Sequence, residues 1–245
     1  YRNNVGKTLA LLDAVVEESV GRFIFSSTAA VYGNPQEVPI REEHPTEPIN
    51  AYGETKLTIE RALPHYALAY GLRFVCLRYF NAAGAHPSGE IGEDHDPEIH
   101  LIPRAIAASG GDSPLEIFGD DYPTQDGTCE RDYVHVSDLA DAHLLALKGL
   151  ESSAGAPAYN LGNGRGYSVK EVIRAVERVT DRPVGHTVAA RRVGDPAVLR
   201  ASSARARDGL GWIPRHEKID AIVKTAWEWH RGHPGGFRVN HEPGA

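Results

Sequence analysis

The sequence predicts an α/β protein built on a doubly wound parallel sheet, because helices and buried strands alternate and a polar loop interrupts them. Helical patterns at residues 3–18 and 51–70 alternate with buried apolar runs at residues 22–27 and 72–80. Strands joined by crossover helices run parallel. The stretch at residues 32–50, rich in Pro, Glu and Gly, therefore predicts a loop over the carboxyl ends of the strands, where ligands bind in such folds.

The rest of the chain alternates in the same way with shorter elements. We predict helices at residues 99–109, 137–150, 168–180, 202–210 and 219–231 and strands at residues 115–118, 158–161 and 184–190. Ser137 and Ser168 are the predicted N-caps of their helices, and Glu171 completes a capping box with Ser168. The Pro/Gly-rich tail from His233 predicts loose order.

Length and charge narrow the class of protein. A chain of 245 residues can bury a substantial core, and its net charge of -7 gives it no electrostatic reason to bind nucleic acid or an anionic membrane. No apolar run approaches the roughly 18 residues of a membrane span. Cys76 and Cys129 have neither metal-ligand nor disulfide-framework spacing, so the sequence predicts a protein of the reducing cytoplasm with no metal site.

Three side chains in the first quarter of the chain indicate redox acid-base chemistry on an alcohol. Tyr52 and Lys56 are four residues apart on a predicted helix and therefore share one face. An ammonium beside a phenol favours the phenolate and lowers the phenol pKa from about 10 toward neutrality. Thr28, or alternatively Ser27, supplies a hydroxyl that shares the substrate proton with the tyrosine. Because a Tyr-x-x-x-Lys pair also occurs by chance, the motifs around it decide its role.

The order of these motifs is similar to that of the extended short-chain dehydrogenase/reductase superfamily, which combines a Ser/Thr and Tyr-x-x-x-Lys triad with a nicotinamide cofactor. Within it, three stretches closely resemble the UDP-glucose 4-epimerase family: NAAGAHPSG at 81–89, GDDYPTQDGTCERDYVHVSDLA at 119–140 and RRVGD at 191–195. The resemblance extends to about Gly236. It implies a partial Rossmann-type doubly wound sheet with a smaller α/β substrate domain, NAD as cofactor, a UDP-sugar as substrate, and a homodimer when full length.

The resemblance also implies a discontinuous division of the chain. Residues 1–81 and 131–163 would be the remnant of an NAD-binding domain, residues 82–130 and 164–236 the UDP-sugar domain, and residues 237–245 a flexible tail.

The dinucleotide-binding turn of the family has no counterpart in the sequence. No Gly-x-x-Gly-x-x-Gly pattern occurs, so we expect an N-terminally truncated member lacking roughly the first 95 residues of the family's fold and unable to bind NAD tightly. The glycines at residues 162–166 follow a strand, but they lack an acidic residue about 20 positions downstream and so are not expected to bind a phosphate.

The resemblance assigns binding roles residue by residue. The residues implied for the cofactor are Asn3, Ser26, Ser27, Tyr52, Lys56 and Phe80. Those implied for the substrate are Thr28, Asn81, His100, Leu101, Phe118, Arg131, Arg192, Asp195 and Leu199. Arg131 and Arg192 would hold the diphosphate, for which a guanidinium is suited. Phe118 would lie beside the uracil and Asp195 would accept from the ribose hydroxyls, although each taken singly also has an ordinary structural explanation.

The residues after Thr28 narrow the expected reaction. Relatives that eliminate water or carbon dioxide usually carry an acid there, whereas this chain has Ala29 and Ala30. The resemblance therefore implies NAD-dependent 4-epimerisation of UDP-glucose and UDP-galactose through a 4-keto sugar, in galactose metabolism. The intermediate size of Leu199 leaves 4-epimerisation of UDP-N-acetylglucosamine open, and a noncatalytic protein or an inactive fragment remains the alternative of another class.

Overall fold

A computed structural model describes residues 1–152 and 158–237, so residues 238–245 of the predicted tail lie outside the described residues. The helices are α1 Lys7–Glu17, α2 Ala51–Tyr70, α3 Leu101–Ser109, α4 Val136–Ser152, α5 Val169–Thr180, α6 Ala204–Leu210 and α7 Ile219–Gly232. The strands are β1 Arg22–Thr28, β2 Arg73–Tyr79, β3 Asn81–Ala83, β4 Leu115–Phe118, β5 Glu130–His135, β6 Ala158–Leu161, β7 Gly166–Ser168, β8 His186–Ala189 and β9 Val198–Leu199. A π-helical turn, Arg2–Gly6, precedes α1, and a 3-10 turn, Ala29–Tyr32, follows β1.

The first sheet has the strand order β1-β2-β6, and its pairs are parallel. Alternate residues of β2 face opposite layers. Phe74 and Cys76 join the core cluster formed with α1 and α2, whereas Val75 and Leu77 join the cluster formed with α4. Helices therefore cover both faces, which confirms the predicted doubly wound parallel arrangement.

The other six strands of the described residues form two further sheets. Strand β5 pairs with β3 and β9 in parallel and with β7 antiparallel, and β4 pairs with β8 in parallel. A separate core cluster joins α3, α5 and α7. Strand β5 was not predicted, because two charged residues, Arg131 and Asp132, interrupt its apolar pattern.

Two helix starts test the predicted caps. The Ser168 hydroxyl accepts from the Glu171 backbone N–H at 3.1 Å while the Glu171 carboxylate accepts from the Ser168 N–H at 2.8 Å, so the predicted capping box is confirmed. The predicted Ser137 cap is wrong. Helix α4 already begins at Val136, the backbone N–H of Ser137 donates to His135 Nδ1 at 3.1 Å, and the buried Ser137 hydroxyl has no hydrogen-bond partner in the described structure.

Helix α6 packs on a different part of the molecule from the one that the predicted domains imply. Ala206 and Trp212 lie in the same core cluster as Val75 and Leu161 of the first sheet. The predicted domain division assigns residues 164–236 to the UDP-sugar domain instead. The exact domain bounds stay a prediction. Among the helices of residues 1–152 and 158–237, none is both long and apolar enough to cross a membrane.

Candidate active site

The start of α2 holds Tyr52 against the end of β1. The Asn50 side chain caps the helix by accepting from the Gly53 backbone N–H at 2.8 Å. A Cβ atom at Gly53 would lie 2.4 Å from the Ala30 carbonyl oxygen, so glycine lets the helix approach the turn after β1. Tyr52 is 50 % exposed and lines a cavity together with Thr28.

The structure decides between the two hydroxyls that the sequence left open. Ser27 is 1 % exposed and donates to the Glu60 carboxylate at 2.5 Å, on the side away from the cavity. Thr28 instead lines the cavity together with Tyr52, and its hydroxyl opposes the rise that burial causes in the pKa of that phenol. Thr28 is therefore the hydroxyl partner of the tyrosine.

Lys56 lies beside Tyr52 as its spacing predicts. Its Nζ donates to the Ser26 carbonyl oxygen at 3.0 Å and lies 5.8 Å from the centre of the Tyr52 ring. The predicted lowering of the tyrosine pKa is not seen: burial raises the pKa of Tyr52, and the hydrogen bond with Thr28 opposes that rise only in part. Lys56 faces the ring and a backbone oxygen, and burial lowers the pKa of its own ammonium.

A buried ion pair supports β1 and β2 beneath these residues. The Arg78 guanidinium donates to both carboxylate oxygens of Glu60, at distances from 2.5 to 3.1 Å, and to the Tyr32 hydroxyl at 2.9 Å. The Tyr32 hydroxyl donates in turn to Asn160 at 2.7 Å. Ser27 on β1 also donates to Glu60. The network therefore fixes the end of β1, where Thr28 directly follows Ser27.

The cavity at Tyr52 has a volume of about 980 Å³. It brings together five of the predicted site residues: Thr28, Tyr52, Phe80, Asn81 and His100. Its far wall is the segment from Gly84 to His100, and its floor includes the start of α4. This volume suits a ligand of nucleotide-sugar size.

Four further predicted residues form a second group, in two pairs. Arg131 Nη2 donates to the Asp195 carboxylate at 2.6 Å, with the guanidinium largely buried. The Arg192 guanidinium carbon lies 3.7 Å from the centre of the Phe118 ring. Leu199 is paired in register with Arg131 and packs on the core cluster that contains Phe80, so it connects this group to the cavity.

Other predicted residues do not reach the cavity. Asn3 is exposed and its side chain donates to Asn4, and the cavity lining contains neither Asn3 nor Leu101. Ser26 contributes its carbonyl to Lys56, while its hydroxyl pairs with His143 at 3.3 Å.

Backbone N–H groups of the glycine cluster at residues 162–166 donate hydrogen bonds to a side chain of the same protein. The Asp132 carboxylate is fully buried and accepts from the backbone N–H groups of Asn163 at 2.8 Å and Gly164 at 3.0 Å. Burial raises the pKa of Asp132 to about 6. These amides therefore serve an internal carboxylate, in keeping with the expectation that they bind no phosphate.

One cluster of chemically active side chains at the cavity wall was not predicted from the sequence. Glu93, His95, Glu98 and His100 bring one potential ligand atom each to within 4.8 Å of one another. Of these four, only His100 was named, as a residue that the resemblance implies for the substrate. The spacing Glu-x-His-x-x-Glu-x-His was the available signal.

Comparison with known proteins agrees with this geometry. The model of the NAD dependent epimerase/dehydratase family matches residues 1–162. A curated relative, the UDP-glucose 4-epimerase of Lacticaseibacillus casei, is 51% identical over 238 residues, which are 97% of this chain and 72% of that protein.

Solved structures show the same likeness. The UDP-glucose 4-epimerase from Brucella ovis in complex with NAD is 52% identical with a TM-score of 0.89, over 93% of this chain and 70% of that one. The enzyme from Bifidobacterium longum in complex with NAD+ and UDP is 41% identical with a TM-score of 0.92, over 97% of this chain and 71% of that one. The chain therefore belongs to the NAD dependent epimerase/dehydratase family, as the motifs at Thr28, Tyr52 and Lys56 predicted. A second curated relative, the UDP-glucose 4-epimerase of Halalkalibacterium halodurans, is also 51% identical, over 99% of this chain and 73% of that protein.

Proposed function

We propose that this chain catalyses the NAD-dependent interconversion of UDP-glucose and UDP-galactose at carbon 4 of the sugar. The observation that carries the proposal is Tyr52, which lines a cavity large enough for a nucleotide sugar together with Thr28 and has the Lys56 ammonium beside its ring. The relatives and solved structures named UDP-glucose 4-epimerase support the choice of substrate.

Tyr52 is the proton acceptor in this proposal. A phenolate removes the proton from the sugar 4-hydroxyl as that carbon becomes a ketone, and returns it when the alcohol re-forms with the opposite configuration. The Thr28 hydroxyl stabilises the phenolate through its hydrogen bond, which lowers the pKa of Tyr52 against the effect of burial. Glu60 and Arg78 hold β1 and β2 so that Thr28 meets Tyr52.

The side chains around Tyr52 fit a nicotinamide cofactor. Lys56 Nζ uses one donor on the Ser26 carbonyl, and an ammonium has three, so two remain for the hydroxyls of a ribose. Together with Tyr52 and Phe80, Lys56 would hold NAD, which when bound accepts hydride from carbon 4 and returns it to the other face of the ketone.

The second group of residues binds the nucleotide in this proposal. Arg131 and Arg192 hold the diphosphate, so that the keto sugar can turn about a fixed tether. Arg131 must exchange at least part of its bond to Asp195 for phosphate oxygens, and Asp195 then accepts from the ribose hydroxyls. The uracil stacks on Phe118 either on the ring face opposite Arg192 or after Arg192 moves aside.

The test is epimerisation of UDP-galactose by the complete gene product and its Tyr52→Phe variant. We expect Y52F to lose activity by a factor of about 10²–10⁴ while substrate binding is retained, because only the transferable proton is removed. Tyr70→Phe, an exposed change on the same helix, is the matched control and keeps full activity. An unchanged rate in Y52F rules out the proposed role. UDP-N-acetylgalactosamine, assayed in parallel, decides whether Leu199 admits the larger 2-substituent.

The homodimer and the cytoplasmic location are also proposals. Leu11 on α1 and Leu68 on α2 expose large apolar side chains on the helices that cover one face of the first sheet, which supports self-association. Cys76 and Cys129 are both free thiols, as is usual in a reducing compartment. Light scattering coupled to gel filtration measures the mass, and a monomer at micromolar concentration contradicts the dimer.

A further inference from the structure

The cluster formed by Glu93, His95, Glu98 and His100, hereafter the His/Glu cluster, lies in the segment that walls the substrate cavity before α3. The roles proposed above for Tyr52, Arg131 and Arg192 do not involve these four side chains. Their chemistry differs from the rest of the wall, since two imidazoles and two carboxylates converge on one point.

The distances within the cluster are those of a metal-binding set. His95 Nδ1 lies 3.0 Å from Glu93 Oε1 and 3.8 Å from Glu98 Oε1, and His100 Nδ1 lies 3.5 Å from Glu98 Oε1. His100 Nδ1 and Glu93 Oε1 are also in direct contact. Four ligands at about 2.0–2.1 Å from a tetrahedral Zn²⁺ ion lie roughly 3.4 Å apart. The first three distances are within about 0.4 Å of that separation, whereas His100 and Glu93 have to move apart to admit the ion.

The two histidines converge on the same two carboxylates. Their imidazole rings lie 4.9 Å apart and present the same nitrogen, Nδ1, to Glu93 and Glu98. One divalent cation can take all four of these groups as ligands.

The cluster is held in place by its surroundings. The Glu93 backbone carbonyl accepts from the Trp229 indole at 3.0 Å, and Gly92 packs so closely on that ring that a Cβ atom would lie 2.2 Å from it. Glu98 Oε1 accepts from the backbone N–H groups of Ile99 and His100, both at 2.7 Å. These contacts hold the segment in place before a metal ion binds. Hydrogen bonds from neighbouring groups to the residues that bind the metal are typical of metal sites.

A further imidazole on α7, that of His230, lines a pocket together with Glu93, His95 and Glu98. The buried His230 Nε2 has no hydrogen-bond partner in the described structure. Burial lowers the pKa of His230, and the nearby charges of Glu93, Glu98 and Asp94 oppose that lowering only in part. An unpartnered imidazole nitrogen near the cluster's own carboxylates is a fifth metal-compatible group beside the four.

We propose that the His/Glu cluster binds one divalent transition-metal ion, with Zn²⁺ as the best match, through Glu93, His95, Glu98 and His100. Imidazole nitrogen favours Zn²⁺ over Mg²⁺ or Ca²⁺, which prefer oxygen ligands alone. Four protein ligands leave no open coordination position, so the site is structural. It fixes the segment between Gly84 and α3, and hence one wall of the substrate cavity.

The test is metal binding by the untagged complete gene product without substrate, which keeps the result independent of the proposed epimerisation. After incubation with Zn²⁺ and desalting, mass spectrometry of the metal should give one Zn²⁺ per chain, and Co²⁺ in its place should give the intense visible absorption of tetrahedral cobalt. His95→Ala should weaken Zn²⁺ binding by a factor on the order of 100, because it removes one of four ligands. His65→Ala, which removes an exposed histidine on α2, is the matched control.

Two results overturn the proposal. One is the absence of saturable Zn²⁺ and Co²⁺ binding in the unmodified protein. The other is equal binding in H95A and the unmodified protein, which would place the metal elsewhere. His95 is about half exposed, so H95A should fold, and Glu93→Gln gives a second variant that removes a ligand charge with little change of shape. Zn²⁺ should raise the Tm of the unmodified protein and of H65A, but not that of H95A.

Discussion

The Tyr52 region and the Arg131 region are built in different ways, although both carry predicted site residues. Tyr52, Thr28 and Lys56 lie on the end of one strand and the first turns of the next helix. Tyr52 and Thr28 line the cavity, and the Lys56 ammonium is held behind them by the Ser26 carbonyl. Arg131 and Asp195 are 64 residues apart and bond to each other. The first region is therefore preorganised, whereas the second must exchange internal partners for a ligand.

The largest expected effect tests the rigidity of the Tyr52 region. Glu60→Gln leaves the buried Arg78 guanidinium without its anionic partner, and we expect a loss of about 3–5 kcal/mol in the free energy of unfolding. Urea denaturation measures it. Glu151→Gln breaks the exposed pair with Arg22 and should cost at most about 1 kcal/mol. Equal losses in both variants would mean that the buried network does not hold the region.

The next largest expected effect is a dependence of stability on pH, which arises from His135 on strand β5, the strand that also carries Arg131. Burial lowers the pKa of His135 from 6.5 to about 4, so the unfolded chain binds a proton that the folded chain does not. Stability should therefore fall as pH drops from 6.5 toward 4, by as much as about 3 kcal/mol for this group. The groups facing His135 are His216, stacked on it at 4.0 Å, and Asp138, His86 and Thr225.

Asp132 on the same strand titrates in the opposite sense. Its pKa is raised from 3.8 to about 6, so its contribution is fully present below pH 3.8 and is lost as pH rises through 6. The two effects partly cancel in the unmodified protein. His135→Gln should make stability rise on acidification and Asp132→Asn should make it fall, both followed as the slope of unfolding free energy against pH. Identical slopes in the two variants would contradict these assignments.

Substrate binding tests the exchange of partners in the Arg131 region. Arg131→Ala should raise the KM for the UDP-sugar by a factor of about 10–100 with little change in kcat, because charge-assisted hydrogen bonds to the diphosphate are lost in the ground state and the transition state alike. Arg178→Ala, which breaks an exposed pair with Asp220, is the control. A fall in kcat without a change in KM would show that Arg131 acts on the chemical step, and would remove the contrast between the regions.

The smallest effect concerns the cap that positions Tyr52. Asn50→Ala removes the side-chain acceptor of the Gly53 N–H and should cost about 1 kcal/mol of unfolding free energy. Because Tyr52 is two residues beyond the cap, kcat should fall as well. Asn34→Ala, at an exposed loop position, should change neither quantity. Loss of stability with unchanged kcat would indicate that Thr28 and Lys56 suffice to place the phenol.

Sequence patterns predicted the Tyr52 region more completely than the Arg131 region, for a physical reason. The period of a helix puts Tyr52 and Lys56 on one face, and parallel strands put their carboxyl ends at one edge, so local rules are enough. No local rule reveals that Arg131 bonds to Asp195 or that Arg192 covers Phe118. The resemblance to a family supplied those residues, but not their partners.

By itself, the sequence determined the alternation of helices and strands, the capping box at Ser168, and the pairing of Tyr52 with Lys56 on one helix face, because these depend on spacings of a few residues and on side-chain chemistry. Only the tertiary structure decided that Ser27 faces Glu60, that burial raises the pKa of Tyr52, and that two imidazoles meet two carboxylates on the cavity wall. Each of these depends on which distant groups share a buried space, and packing alone fixes that.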